Sequence, residues 1–328
     1  MPQHFLLSKA ARSLSLARVA RLSDEEAHDA FRMIRWTHTQ GEAVCPRCAC
    51  SATYKITTRK LWKCKACSHQ FSVTSGTIFA SRKLPIRTYL LAIGIFVNGA
   101  KGHSALQLSR DLDVAYQTAF VLSHKLREAM ATETNNGEVL DGEVEVDGAY
   151  FGGYVKPANL KEDRKDRRFS QNQSGKRKVV VIIRERNGNS LPAVFRTEGQ
   201  ALGFIKARVA KGTVVNADEA SSWDGLHAHF EMKRINHQEA YSLDGACTNW
   251  AEEYFSRLRR AEAGHHHHIA GAYLLRYAQE ASWREDHRRM SNGDQVHAVA
   301  GLAMHKKTSP DFVGYWQRSN GTSQIQSV

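Results

Sequence analysis

The sequence predicts a mixed α/β protein in which a zinc ribbon and a helix-turn-helix precede a domain built on a mixed sheet. Three observations carry this. Two Cys-x-x-Cys pairs stand 15 residues apart in the first quarter of the chain. The stretch from Lys83 to Met130 has helical periodicity, interrupted by glycines. From Glu143 onward, strand-like patterns follow in the order strand, strand, strand, helix, strand, then strand and helix. That order suits a mixed sheet with helices on it.

Whole-chain properties narrow the function. A length of 328 residues suggests about two domains, and 42% hydrophobic residues is normal for a globular protein. The net charge of +13 is uneven: residues 1–140 hold 19 Lys/Arg against 10 Asp/Glu, and residues 141–328 hold 27 against 23. A basic front half points to a polyanion partner, with DNA or RNA leading. Four of the six cysteines fall in the two pairs. This reads as metal binding in a reducing, cytoplasmic setting rather than a disulfide framework. No apolar run approaches membrane-spanning length, so no membrane partner is expected.

Residues 1–40 form an N-terminal helical segment. The first 23 residues carry Arg and Ser and no acid. They read as a helix or a DNA-contacting arm rather than a transit peptide, because no cleavage signal follows. Ser23 and Glu26 have capping-box spacing and start a helix running to about Trp36. Residues 41–80 are the zinc ribbon. Cys45, Cys48, Cys64 and Cys67 supply the four thiolates that tetrahedral zinc needs. The stretch between the pairs reads as a short hairpin, and Cys50 is a spare thiol. Arg47, Arg59, Lys60, Lys63 and Lys65 surround the site and suit phosphate contact.

Residues 81–133 are helical. Pro85 suits a first turn, and residues 104–130 read as helix, turn, helix, with Ala105, Leu108 and Leu112 packing one side and Ala119, Leu122 and Leu126 the other. The second helix would enter a DNA major groove, placing Tyr116, Gln117 and Thr118 at bases or phosphates. An ordinary helical hairpin is the other reading; the neighbouring zinc ribbon favours DNA.

Residues 134–290 are the mixed-sheet domain, entered through a polar linker from Thr134 to Gly142. In residues 143–153, Glu143, Glu145 and Asp147 alternate with valine, so one strand face carries three carboxylates. A divalent ion would relieve their repulsion, and magnesium or manganese suits hard oxygen ligands; a solvated acidic face is the alternative. Residues 156–178 hold nine Lys/Arg against three acids and read as a mobile loop that could guide a phosphate backbone, with Lys176, Arg177 and Lys178 closing it. Further strands are expected at 178–186, 191–197, ending at Asp218, and at 234–241. Helices are expected at 201–210, 248–260 and about 270–284. Asp218 and Glu252, on a strand end and a helix, can join Asp147 around two divalent ions about 4 Å apart, a phosphoryl-transfer site. Asp218 as a helix cap and Glu253 in place of Glu252 remain open. Residues 291–328 are expected as a C-terminal tail, frayed beyond Lys307.

The chain also resembles the DDE-type insertion-sequence transposases of the zinc-ribbon group, often called ISXO-type. Residues 64–79, 146–153 and 214–226, and residues 248–260 with Gly264, His267 and the stretch from Tyr273, carry the resemblance. It implies a ribonuclease H-like core with Asp147, Asp218 and Glu252 as the catalytic triad on Mg²⁺ (or Mn²⁺), and Asn249 and His267 in support. It further implies binding of double-stranded DNA, both transposon ends and target, by a homo-oligomer assembled on that DNA. Two departures stand out: Cys247 occupies a position that is often His, and the run His265–His268 is long. The run reads as a metal patch or as a loop with only His267 in register. Two rival functions remain, a DNA-binding regulator with a decayed core and a metal-dependent nuclease that never joins strands.

Overall fold

The computed structural model describes residues 4–134, 136–153, 156–166, 169–172, 175–236, 242 and 245–318. It divides into two compact units. Among the described residues, one joins the chain up to Thr132 with the stretch from His287 to Arg318; the other is Glu133–Asp286.

The first unit opens with a 3-10 turn, Phe5–Leu7, and the short helix α1, Leu16–Ala20. Helix α2, Asp24–Arg35, starts at the expected capping box: Ser23 Oγ accepts from the Glu26 amide at 3.2 Å, and Glu26 Oε2 accepts from the Ser23 amide at 2.7 Å. Three short antiparallel strands follow, β1 (Thr53–Ile56), β2 (Leu61–Cys64) and β3 (Gln70–Phe71). So small a sheet buries little by itself. It is completed by the end of α2: Trp62 meets Trp36 edge-on at 5.1 Å between ring centroids and stacks on His28 at 5.5 Å. The buried Arg35 guanidinium donates to the carbonyls of Ser72, Val73 and Ser75.

Helix α3, Ile86–Asn98, follows Pro85. Helix α4, Ala105–Asp111, and helix α5, Tyr116–Thr134, are joined by the four residues 112–115. Of the six packing positions expected from the periodicity, Leu108, Ala119, Leu122 and Leu126 are buried, and Ala105 and Leu112 are half-buried.

The second unit is a five-stranded sheet in the order β6-β5-β4-β7-β8. β4 (Glu143–Phe151), β5 (Lys178–Glu185) and β6 (Ser190–Phe195) form an antiparallel meander. A 3-10 turn, Glu198–Ala201, and helix α6, Leu202–Arg208, cross over to β7 (Val214–Asp218), which pairs parallel with β4. β8 (Glu231–Ile235) pairs parallel with β7. The strand expected over 234–241 thus begins earlier, and residues 237–241 lie outside those described. Helices α7 (Asn249–Ala261) and α8 (Leu274–Asp286) complete the unit. One sheet face buries Val144, Val146, Val181 and Ile183 with Ile205 of α6 and Trp223. The other buries Ala149, Phe151, Val180 and Ile182 with Ala251, Tyr254, Phe255 and Leu258 of α7. Strand alternation therefore puts Glu145 and Asp147 on the α7 side.

The expected tail does not begin at 291. Helix α9, Asn292–His305, starts there, capped by Ser291 Oγ, and packs on α2 and α3 of the first unit. Its buried positions, Val296, Val299, Ala300, Ala303 and Met304, keep helical spacing. Most are small, which makes the stripe faint in the sequence. The N-terminal segment is anchored there too: Asn292 Oδ1 accepts from the Leu14 amide at 2.9 Å, and Ser13 Oγ accepts from the Gly293 amide at 3.0 Å. No helix among the described residues is long and apolar enough to cross a membrane.

Candidate active site and metal centre

The four expected zinc ligands converge. The Sγ atoms of Cys45, Cys48, Cys64 and Cys67 all lie within 4.8 Å of one another. Three of the separations are 3.6 Å (Cys45–Cys67), 3.6 Å (Cys48–Cys64) and 3.4 Å (Cys48–Cys67). Thiolates 2.3 Å from a tetrahedral ion would stand about 3.8 Å apart, so the cage fits zinc. The two knuckles share one backbone solution. In each, the residue after the second cysteine adopts positive φ, Ala49 at 57° and Ser68 at 58°. In each, that residue's amide returns to the carbonyl of the first cysteine, at 2.9 Å and 3.1 Å. The Cys67 amide leads the contacts that lower the Cys64 thiol below its ordinary value, while the neighbouring thiols push Cys48 up. Cys50 stays outside the cluster, so the register is unambiguous.

In the second unit, Val146 pairs with Ala217, so Asp147 and Asp218 come next along the same parallel ladder. Glu252 projects from the first turn of α7, which packs on β4 and β5. The Asp147 carboxyl is raised to about 7. Burial is the main cause; the Gly148 amide, donating to Oδ1 at 2.7 Å, opposes it, and the charges of Asp218, Glu252 and Glu198 push further up. The three predicted acids therefore act on one point, joined by Glu198, which the sequence reading did not single out. Among the described residues the four cysteines are the one group of ligand atoms close enough to share a single ion; the carboxylates are coupled through charge across a wider gap.

Each acid is held differently. Asp218 Oδ1 accepts from the Trp223 indole at 2.8 Å and from the Ala220 amide at 3.2 Å. It does steady the turn into the 3-10 helix Ser221–Leu226, but through one oxygen only. Glu253 pairs with Arg257, whose Nε also meets Glu285 at 3.0 Å. Of the two neighbours, Glu252 is the one whose charge acts on Asp147.

The acidic strand is not a row of three equivalent ligands. Glu143 Oε1 pairs with Arg186 at 2.6 Å and accepts from Asn216 at 3.0 Å. Glu145 is fully buried. Its Oε1 meets Arg186 Nε at 3.3 Å, and its Oε2 accepts from the amides of Trp250 and Ala251 at 2.8 and 3.1 Å. Those amides open α7, whose N-cap, Thr248, gives no side-chain capping bond. So Glu145 caps the helix that carries Glu252, with its charge at the positive end of the helix dipole. Arg186 and helix amides, rather than a metal, answer two of the three charges.

The remaining predicted residues are more dispersed. Asn249 is the exposed first residue of α7. His267 is exposed with φ 56°, ending a π turn, Glu262–His266. Neither hydrogen-bonds to a site carboxylate among the described residues, and the histidine run forms no metal cluster there. Tyr116, Gln117 and Thr118 are exposed at the start of α5. Gln117 and Thr118 line a cavity of about 350 Å³ with Arg82, Lys83, Lys125 and Trp316. Lys176 is exposed, Arg177 lies over the Tyr150 ring at 4.8 Å, and Lys178 Nζ donates to the Gly271 carbonyl at 3.3 Å. The last contact ties Lys178 to the domain.

Comparison with known proteins agrees with this geometry. Residues 22–70, which include all four zinc ligands, match the family described as transposase zinc-ribbon domain. Residues 139–286, which include the four acids, match the family described as ISXO2-like transposase domain. Over these two stretches the chain is similar to the zinc-ribbon, ISXO2-like transposases. An "uncharacterized protein in transposable element ISH50" of Halobacterium salinarum is 24% identical over 254 residues, 73% of this chain and 83% of that protein. No solved structure matches this chain.

The helix cap makes a stability prediction. Glu145→Ala leaves the amides of Trp250 and Ala251 without their acceptor in a buried site, while Arg186 keeps Glu143, and is expected to cost about 2 kcal/mol. Glu145→Gln, which keeps an acceptor, should cost less. Urea unfolding of both variants checks this, and an unchanged midpoint for the alanine variant would refute the capping role.

Proposed function

We propose that the chain is an insertion-sequence transposase that binds the element's terminal inverted repeats and cleaves and joins DNA strands at Asp147, Asp218 and Glu252. The observation that carries this is the unbalanced charge at Asp147. Glu143, Glu145 and Glu253 each have an arginine. Asp147, Asp218 and Glu198 have no ion pair among the described residues, in a chain whose net charge is +13. Folding has concentrated negative charge where a cation belongs.

The donor set fits Mg²⁺ or Mn²⁺: carboxylate oxygens from the middle of β4, the end of β7 and the start of α7. Asp147, Asp218 and Glu252 would hold two such ions, which would supply Lewis acidity to the reaction when bound. The chain's own work is positioning. Trp223 and Ala220 fix Asp218, and Glu145 fixes the helix under Glu252. The meander, crossover helix and parallel strand β7 support a ribonuclease H-like core. The zinc ribbon and the exposed start of α5 would hold the DNA ends, with Lys176 and Arg177 along the backbone. Two ends held together favour an oligomer on DNA.

The test is incubation of the purified chain with Mg²⁺ and a labelled duplex carrying the element's end, found from the repeats flanking the gene. Cleaved ends followed by joined products are expected. Cleaved ends without joined products would replace this reading with a nuclease. Binding without cleavage would leave a DNA-binding regulator.

A further inference from the structure

We infer that Glu198 is a fourth carboxylate of the active site, a ligand to the divalent ions beside Asp147, Asp218 and Glu252. This rests on the proposed two-metal reading and adds a residue to it.

The first observation is a glycine. Gly148 follows Asp147 in the interior of β4, where glycine weakens a strand. Its φ is not in the left-handed region, so the backbone does not demand it. Space does: a Cβ at this position would stand 2.9 Å from Glu198 Cγ and Oε1. The strand is bare beside Asp147, and the Glu198 carboxylate occupies the room. Any larger residue would push that carboxylate away.

The second observation is how Glu198 is held. Ser222 Oγ donates to Glu198 Oε2 at 3.0 Å, while the next residue, Trp223, donates to Asp218 Oδ1. One 3-10 turn thus orients two carboxylates. Glu198 has one oxygen fixed by Ser222 and the other at Gly148. It begins the turn before α6, on the sheet face opposite α7. Glu252 approaches from the α7 side. The acids therefore close on the middle of β4 and the end of β7 from both faces.

The charges agree with this placement. Burial raises the Glu198 carboxyl above its ordinary value; the Ser222 bond opposes this and the Asp218 charge adds to it. A carboxylate kept only to cap a turn has no need to lie within reach of two other acids. Helping to hold a cation beside them would supply the reason.

The test is Mg²⁺ binding without DNA, followed by calorimetry at pH 8, for the wild-type chain, Glu198→Gln, Gly148→Ala and Asp147→Asn. Glu198→Gln keeps an acceptor for Ser222 but loses the charge. It should weaken Mg²⁺ binding about tenfold or more, with metal-free melting unchanged or raised. Gly148→Ala should weaken it in the same direction by moving the carboxylate. Should Gly148→Ala fail to fold, Glu198→Gln carries the test alone. Unchanged Mg²⁺ affinity in Glu198→Gln, with affinity lost in Asp147→Asn, overturns the role of Glu198 and leaves the three-acid site standing. Unchanged affinity in Asp147→Asn overturns the site itself.

Discussion

Asp147→Asn is expected to abolish strand cleavage while making the metal-free protein more stable at pH 8. The first effect follows from the position of Asp147 between the other acids. If ligation by this carboxylate supplies about 4 kcal/mol of transition-state stabilisation, its loss slows cleavage about a thousandfold. The second follows from its titration. The folded protein raises the carboxyl from 3.8 to about 7, chiefly by burial. An acid whose folded value lies above its unfolded one contributes stability that is complete below the unfolded value. That contribution is lost as pH rises through about 7. At pH 8 the metal-free wild type therefore carries a buried charge costing ~2–4 kcal/mol, which Asn does not carry. Melting curves from pH 5 to 8 without metal should fall more steeply for wild type than for the variant. Asp286, which burial also raises to about 7, leaves a residual slope in both. Adding Mg²⁺ at pH 8 should raise the melting temperature of wild type alone, and Mg²⁺ affinity should grow as pH climbs through 7. A variant that cleaves normally, or one less stable than wild type at pH 8, would sink the assignment.

Such a trade of stability for function also explains which residues were legible in the sequence. Asp147 showed itself because strand alternation is local: i, i+2 and i+4 fix a shared face without knowledge of partners. The cysteine pairs were legible for the same reason, since each knuckle is closed by its own backbone. What alternation could not supply was the partner of each carboxylate. Arg186 lies 41 residues from Glu145, and the Trp250 amide 105 residues away. Those contacts separate the helix-capping Glu145 from the site-facing Asp147, although the two look alike in the motif. Glu198 was hidden in a turn with no periodic signal. The trace it left was Gly148, a glycine in a strand with nothing local to require it. Glu252 and Glu253 were distinguished only by Arg257 one helical turn on, a contact that spacing alone permits but does not choose. Helix α9 escaped notice because alanines give a weak stripe and their burial depends on α2 and α3.

Removal of zinc is expected to unfold the ribbon and leave the second unit folded. Strands of four, four and two residues cannot close a core, and the ribbon borrows most of its apolar contact from α2. The aromatic set of His28, Trp36, Trp62 and Phe71 is assembled only when β2 and β3 are in place. Binding a tetrahedral thiolate site contributes on the order of 10 kcal/mol of apparent free energy, far more than these rings provide. Chelation, or Cys64→Ser, should therefore erase the near-ultraviolet dichroism of the stacked tryptophans and release one zinc per chain. Burial of Trp36 and Trp62 should give way to red-shifted fluorescence. The second unit has its own two cores on either side of its sheet, so its melting transition and its Mg²⁺ binding should survive. Binding to the element's ends should weaken, because the basic residues around the knuckles, Arg47, Lys63 and Lys65, lose their fixed positions. If the tryptophan signal persists in the zinc-free protein, packing against α2 rather than the metal holds the ribbon. The four cysteines would then need another explanation.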